Sequence, residues 1–91
     1  MTGLVLEPRL DLSTVGALAA SLLAHAGADL LLDAGKVTHL GGLGLQVLLA
    51  AADEWRNAGH RFVISPRSTA FDEALILFGV DIDALQTEGT T

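Results

Sequence analysis

Apolar and polar residues follow two periods along this chain. From Leu12 to Ala26 the apolar positions Leu12, Val15, Ala19, Leu22, Leu23 and Ala26 recur every three or four residues, while Ser13, Thr14, Ser21 and His25 fall elsewhere on the wheel. That spacing predicts a helix with one buried face, capped by Asp11 or Ser13 and closed by Gly27. Leu30 to Leu32 is an unbroken apolar run of strand length, which predicts burial on both faces; Val37 to Leu40 extends or resumes it. A second helix is expected from near Leu43 to Gly59, and a strand from Arg61 to Ser65 that Pro66 ends. Ser68 or Thr69 then caps a last helix in which Phe71, Ala74, Leu75 and Phe78 share a side, with Gly79 closing it. Leu4 to Leu6 predicts a short first strand, and Pro8 confines the chain just after it to an edge or a bend.

Strands and helices that alternate across connections of a few residues imply right-handed crossovers. The expected fold class is α/β: a small, mostly parallel sheet of about four strands with helices packed on it. Residues 1–85 form a single domain in this reading, and the polar residues 86–91 form a frayed tail. Composition supports one core rather than two, since the chain has 91 residues and is 51% hydrophobic but only 4% aromatic. Its interior must therefore be built from Leu, Ala, Val and Ile.

The formal charge of -6, with no cluster among the five basic residues, speaks against direct contact with nucleic acid or an anionic lipid surface. There is no cysteine, hence neither a disulfide framework nor thiolate metal ligands, and no basic start leads into an apolar signal segment. Val15 to Ala34 is the most membrane-like stretch, but Ser21, His25, Gly27, Asp29 and Asp33 interrupt it. A cytoplasmic location is expected.

The most informative segment is Leu30 to Leu49, where a strand, a Gly-rich bend and a helix follow one another without a spacer. Such a bend presents free backbone N–H groups at a helix start. Gly41, Gly42, Leu43 and Gly44 place no hydroxyl there, so the expected role is recognition rather than chemistry. No Gly-Lys-Ser/Thr follows, and the glycine spacing is not that of a dinucleotide site. His25, His39 and His60 stand in separate segments without metal-ligand spacing, so no metal is expected; His39, just before the bend, can offer a hydrogen bond to a partner. Asp33 ends a strand as the phosphoacceptor of a receiver domain does, but the acidic pair and late lysine of such a site are missing, which leaves it a turn residue. Asp53-Glu54 and Asp72-Glu73 are sequence neighbours whose side chains diverge by about 100° on a helix, so neither pair works as an acid and base. Ser65 and Ser68 lack an adjacent base, and Thr38 is the nearest hydroxyl to the bend, a weak substitute for a phosphorylation site. No cofactor and no enzymatic activity are expected.

The order of strand, Asp-Leu-Ser-Thr at a helix start, Leu-Leu-Leu-Asp strand, Val-Thr, glycine bend, Leu-rich helix, Gly-His-Arg-Phe-Val-Ile strand and Phe-Gly-Val-Asp ending resembles the STAS domain of bacterial anti-sigma factor antagonists, over roughly Leu4 to Asp83. In that family the bend carries Asp-Ser-Ser/Thr-Gly, whose second hydroxyl residue is phosphorylated by a partner kinase to switch binding off. Matched to this chain, the family's Asp falls on Gly41, the first Ser on Gly42, the phosphoacceptor on Leu43 and the final Gly on Gly44. Only the final glycine is kept. The resemblance thus implies the fold and a docking surface, in signal transduction or transcription regulation, without phosphorylation at the bend. Family members also carry a strand or hairpin before the Asp-Leu-Ser-Thr segment, for which there is little room here. A smaller sheet, or an edge completed by a second copy as a homodimer, is the expectation.

On the second helix Leu45, Leu48, Leu49, Ala52 and Trp55 make the core face, and Gln46, Asp53 and Asn57 a wet side. Leu43, Val47 and Ala50 form a third line ending at Glu54, exposed in a lone domain unless the neighbouring helix covers it. Ile76 poses the same question on the last helix. The expected contact surface joins His39, Gly41, Gly42, Leu43, Gly44 and Val47, with Arg67, Ser68 and Thr69 as its rim. The partner implied by the resemblance is an anti-sigma-factor-like kinase domain; a second reading is an accessory subunit of a membrane transport complex, of the lipid ABC transporter kind, or of a chemosensory complex.

Overall fold

The computed structural model describes residues 1–88. A four-stranded sheet is ordered β1 (Thr2–Val5), β3 (Leu30–Ala34), β5 (Arg61–Arg67), β6 (Thr87–Glu88); a separate parallel ribbon pairs β2 (Arg9–Leu10) with β4 (His39–Leu40). The first three sheet strands are parallel, and β6 runs antiparallel on β5. Helices α1 (Val15–Ala24), α2 (Gly42–Ala58) and α3 (Thr69–Phe78), with a 3-10 turn at Ile82–Leu85, complete the expected α/β architecture.

The register explains where the core lies. Leu30 and Leu32 of β3 pair with Phe62 and Ile64 of β5, and all four are buried. Leu31, Asp33 and Val63, which point the other way, stay half-exposed, so the leucine run is fully buried on one face only. The expectation of burial on both faces is corrected by this pattern. From α2, Leu45, Leu48, Ala52 and Trp55 close over the buried side, the Trp55 ring standing 5.1 Å from that of Phe62. The indole N–H donates to the Ala28 carbonyl at 2.8 Å, which satisfies its polar atom at the edge of the core.

Several element boundaries differ from the expected ones. Helix α1 turns Leu18 and Leu22 inward, whereas Leu12 and Leu23 are 76% and 75% exposed. Apolar residues surround this helix, so periodicity alone could not choose its face. Asp11 serves the preceding turn: its carboxylate accepts from the Ser13 N–H and hydroxyl, its carbonyl from the N–H of Thr14 and Val15, and Thr14 occupies the cap position. Strand β5 continues through Pro66 to Arg67, because β6 covers it only at Arg61 and Phe62 and a proline beyond that pairing leaves no N–H partner stranded on that side. The tail is not free from Gln86 onward. Gln86 accepts the Ile64 N–H at 2.9 Å, Thr87 and Glu88 pair with β5, and Glu88 meets Arg61 at 3.2 Å. The rest of that tail, residues 89–91, lies outside the described residues.

Candidate functional site

The β2–β4 ribbon fixes the bend. Leu10 and Leu40 are buried, the N–H groups of Thr38 and His39 both donate to the Pro8 carbonyl, and Gly41 N–H donates to Leu10 O at 2.8 Å. Gly41 is extended, caps α2 without a side chain, and leaves the helix start dressed in backbone alone. Gly44 has a steric cause: a Cβ there would stand 2.7 Å from the Leu10 carbonyl oxygen. Only glycine lets the first turn of α2 lie this close to β2.

Leu43, which the resemblance matches to the family's phosphoacceptor, is 45% exposed. Beside it, Gly42 faces the Phe78 ring, to which a Cβ would come within 3.8 Å. Thr38, His39, Leu40 and Gly41 form one wall of a groove whose other wall is Ala70, Glu73, Ala74, Leu77 and Phe78 of α3. Leu77 is 86% exposed, Ile76 is exposed with it, and Phe78, expected in the core, is 47% exposed. Leu77 and Phe78 are the exposed groove-lining residues that periodicity missed. The signal was available: three successive apolar residues on a helix sweep about 200° and cannot all face inward.

The remaining expected site residues are placed differently. Val47 is half-buried and packs against the core, lining a second groove with Leu22 and Leu23 of α1, so the stripe expected to be exposed is covered at its middle and open at Leu43 and Ala50. Arg67 donates to Asp72 at 2.8 Å and to the Ile64 carbonyl, and Ser68 donates to the Val37 carbonyl at 2.6 Å while accepting the Phe71 N–H. Their polar atoms serve the fold, and neither lines the groove; Thr69 is exposed at the start of α3. His39 is exposed on the groove wall. Thr38 donates its hydroxyl to Pro8 O at 3.1 Å.

At the bend Gly41, Gly42, Leu43 and Gly44 place backbone and one aliphatic side chain. His25 donates to Ser21 O, and His60 stands 3.7 Å from Asp29, so with His39 at the groove the three imidazoles stand in three separate places. Among the described residues no group of His, Asp and Glu could hold a metal ion. Asp33 accepts the Gly35 N–H at 2.8 Å as a turn residue. Each of the four arginines faces a carboxylate of its own chain: Arg9 with Asp11, Arg56 with Asp53, Arg61 with Glu88, Arg67 with Asp72. Glu73 on the groove wall has no ion pair among the described residues. The Ser13 hydroxyl, with the Ser13 N–H and Arg9, holds the Asp11 carboxyl below the usual aspartate value. No helix among the described residues is long and apolar enough to cross a membrane.

The family model headed "Mlab, STAS domain" matches residues 2–87. Comparison with curated proteins and with solved structures gives no significant match. A mostly parallel sheet with helices, a glycine bend leading straight into α2, and a family match spanning nearly every described residue converge: this chain belongs to the STAS domain family, a class of regulatory binding modules.

Proposed function

We propose that this STAS domain is a non-enzymatic docking module of the cytoplasm that holds a protein partner through Leu43 in the first turn of α2 and through Leu77 and Phe78 at the groove between the bend and α3. The observation that carries the reading is Leu43: at the position that the resemblance matches to the family's phosphoacceptor stands an exposed aliphatic side chain, one residue from Gly42, which faces the Phe78 ring of α3. Covering one such side chain contributes about 1.5 to 3 kcal/mol before ordering costs. A hydroxyl that can be phosphorylated would introduce about two negative charges here, and Leu43 cannot acquire them. Binding is therefore constitutive. The partner is an anti-sigma-factor-like kinase domain, in keeping with the resemblance. A second reading, a permanent accessory subunit of a membrane transport complex, is favoured by the same lack of a switchable residue.

The test is partner capture by immobilised wild-type protein and by the variants Leu43→Asp and Leu77→Asp, read by mass spectrometry alongside thermal unfolding. Both variants should lose the partner and unfold within a few degrees of wild type. A large loss of stability on Leu43→Asp would make that side chain part of the core and sink the reading. Incubation with the captured kinase and ATP should add no mass; a phosphopeptide spanning Val37 to Gln46 would overturn the constitutive part.

A further inference from the structure

The groove between the bend and α3 is lined by a single carboxylate, Glu73, and its own chain leaves that charge unanswered. Glu73 is exposed on the α3 wall, without an ion pair among the described residues. The arginines flanking the two walls are engaged: Arg67, ahead of α3, meets Asp72 at 2.8 Å, and Arg9, in register with His39, meets Asp11 at 3.2 Å. Lys36 lies in the turn after β3, outside the groove lining. A protein that covers Leu77 and Phe78 also lies over Glu73, one helical turn before Leu77 on the same face. Taken from water beside apolar surface with no cation, a carboxylate weakens such a contact; met by Lys or Arg, it favours the contact and selects the partner.

The walls also limit the shape of the occupant. The α3 wall uses positions 70, 73, 74, 77 and 78, one helix face about 12 Å long at 1.5 Å per residue. On the facing wall the N–H groups of Thr38, His39 and Gly41 are already donated to the carbonyls of Pro8 and Leu10, so they are closed to an added strand. Side chains must hold the entering segment, as they do when a helix lies in a groove. A second copy does not meet the need for a cation. Four of its five basic side chains face carboxylates of their own chain, and the fifth, Lys36, stands in a turn rather than on a helix. Resting on the docking reading above, we propose that the groove takes an amphipathic helix of another protein, which sets a Lys or Arg against Glu73 and apolar side chains on Leu77 and Phe78.

The probe is a phage-displayed library of random peptides, each long enough for several helical turns, selected on the immobilised full chain. Enriched peptides should carry Lys or Arg three or four residues from a bulky apolar residue. A synthetic copy of the most enriched peptide is then titrated against wild type and variants, with thermal unfolding of each variant as the check on folding. Glu73→Gln should weaken binding about twofold to fivefold, the range of an exposed ion pair, and Glu73→Lys should weaken it further. Glu54→Gln, which removes the same charge from the groove between α1 and α2, should leave the affinity unchanged. Added salt should lower the affinity of wild type more than that of Glu73→Gln. Peptides lost on Leu77→Asp but indifferent to the charge at Glu73 would overturn the cationic partner and leave the docking groove standing, as would enriched peptides without Lys or Arg. A loss on Glu54→Gln equal to that on Glu73→Gln would likewise reduce the effect to net charge and overturn the pairing. Peptides that bind Leu77→Asp as well as wild type, or a library that yields no binder, would overturn both readings.

Discussion

Built onto Gly44, a Cβ would press on the Leu10 carbonyl oxygen at 2.7 Å, whereas on Gly42 it would rest at ordinary contact, 3.8 Å from Phe78. The two glycines of one bend therefore respond in opposite senses to the same change. Gly44→Ala should destabilise the domain by about 1 to 3 kcal/mol, since backbone must move to admit the methyl group and the better helix propensity of alanine offsets only part of this. Gly42→Ala should be neutral or stabilise by up to about 1 kcal/mol. Urea unfolding of the two variants checks both signs; equal effects would show that the close approach of α2 to β2 is not what Gly44 provides. At Asp11 the residue scale meets pH. Its carboxyl titrates below the unfolded aspartate value, held there first by the Ser13 hydroxyl, so its contribution is fully present above that unfolded value and is lost as pH falls through the folded one. Replacing Asp11 by Ala should flatten the acid limb of a stability-versus-pH curve below about pH 4 and leave its neutral region parallel to wild type.

Element ends were legible where a single residue sets them. Gly59 and Gly79 close α2 and α3 with left-handed backbone at φ 77 and 69, and Ser68 caps α3 by accepting the Phe71 N–H. Ser68 has a second duty that no local pattern announces, donating to Val37 O across to the segment before β4. Ser68→Ala should thus cost more than an ordinary cap, about 2 kcal/mol, because it leaves a backbone carbonyl as well as a helix N–H without its partner. Chemical denaturation gives the value, and Ser68→Thr should recover part of it. The face of a helix was harder to read than its end. α2 carries charged residues on one side and reads clearly, but α1 is apolar all round, so its inward choice of Leu18 over Leu12 and Leu23 rested on neighbours that the local spacing does not contain. For α3 the same ambiguity hid the exposed Leu77 and Phe78, half of the groove proposed as the docking site.

Across the whole molecule, one core holds the two sheets' worth of strands together, with Phe62, Leu30, Leu32, Ile64, Leu48, Phe71 and Leu85 fully buried. A domain of this size has a stability on the order of 5 to 10 kcal/mol, and Phe62→Ala should remove about 3 to 5 of it by opening a cavity beneath Trp55. Near-ultraviolet circular dichroism would show this as loss of the Trp55 signal well below the wild-type midpoint; an unchanged midpoint would place the core elsewhere. Leu85 enters that core through a 3-10 turn and is followed by β6, which closes the sheet edge where a loose tail was expected. Local sequence, through glycine, proline and capping residues and through runs of leucine, determined the order of the helices and of the longer strands and the glycine bend at the start of α2, because each of these depends on interactions within a few residues; it did not determine β2 or β6. Tertiary packing decided which side of α1 faces inward, that β3 is buried on one face, that Val47 is covered while Leu43 is open, and that α3 supplies the other wall of the groove. These are contests between side chains of equal hydrophobicity, and only the geometry of distant neighbours breaks the tie.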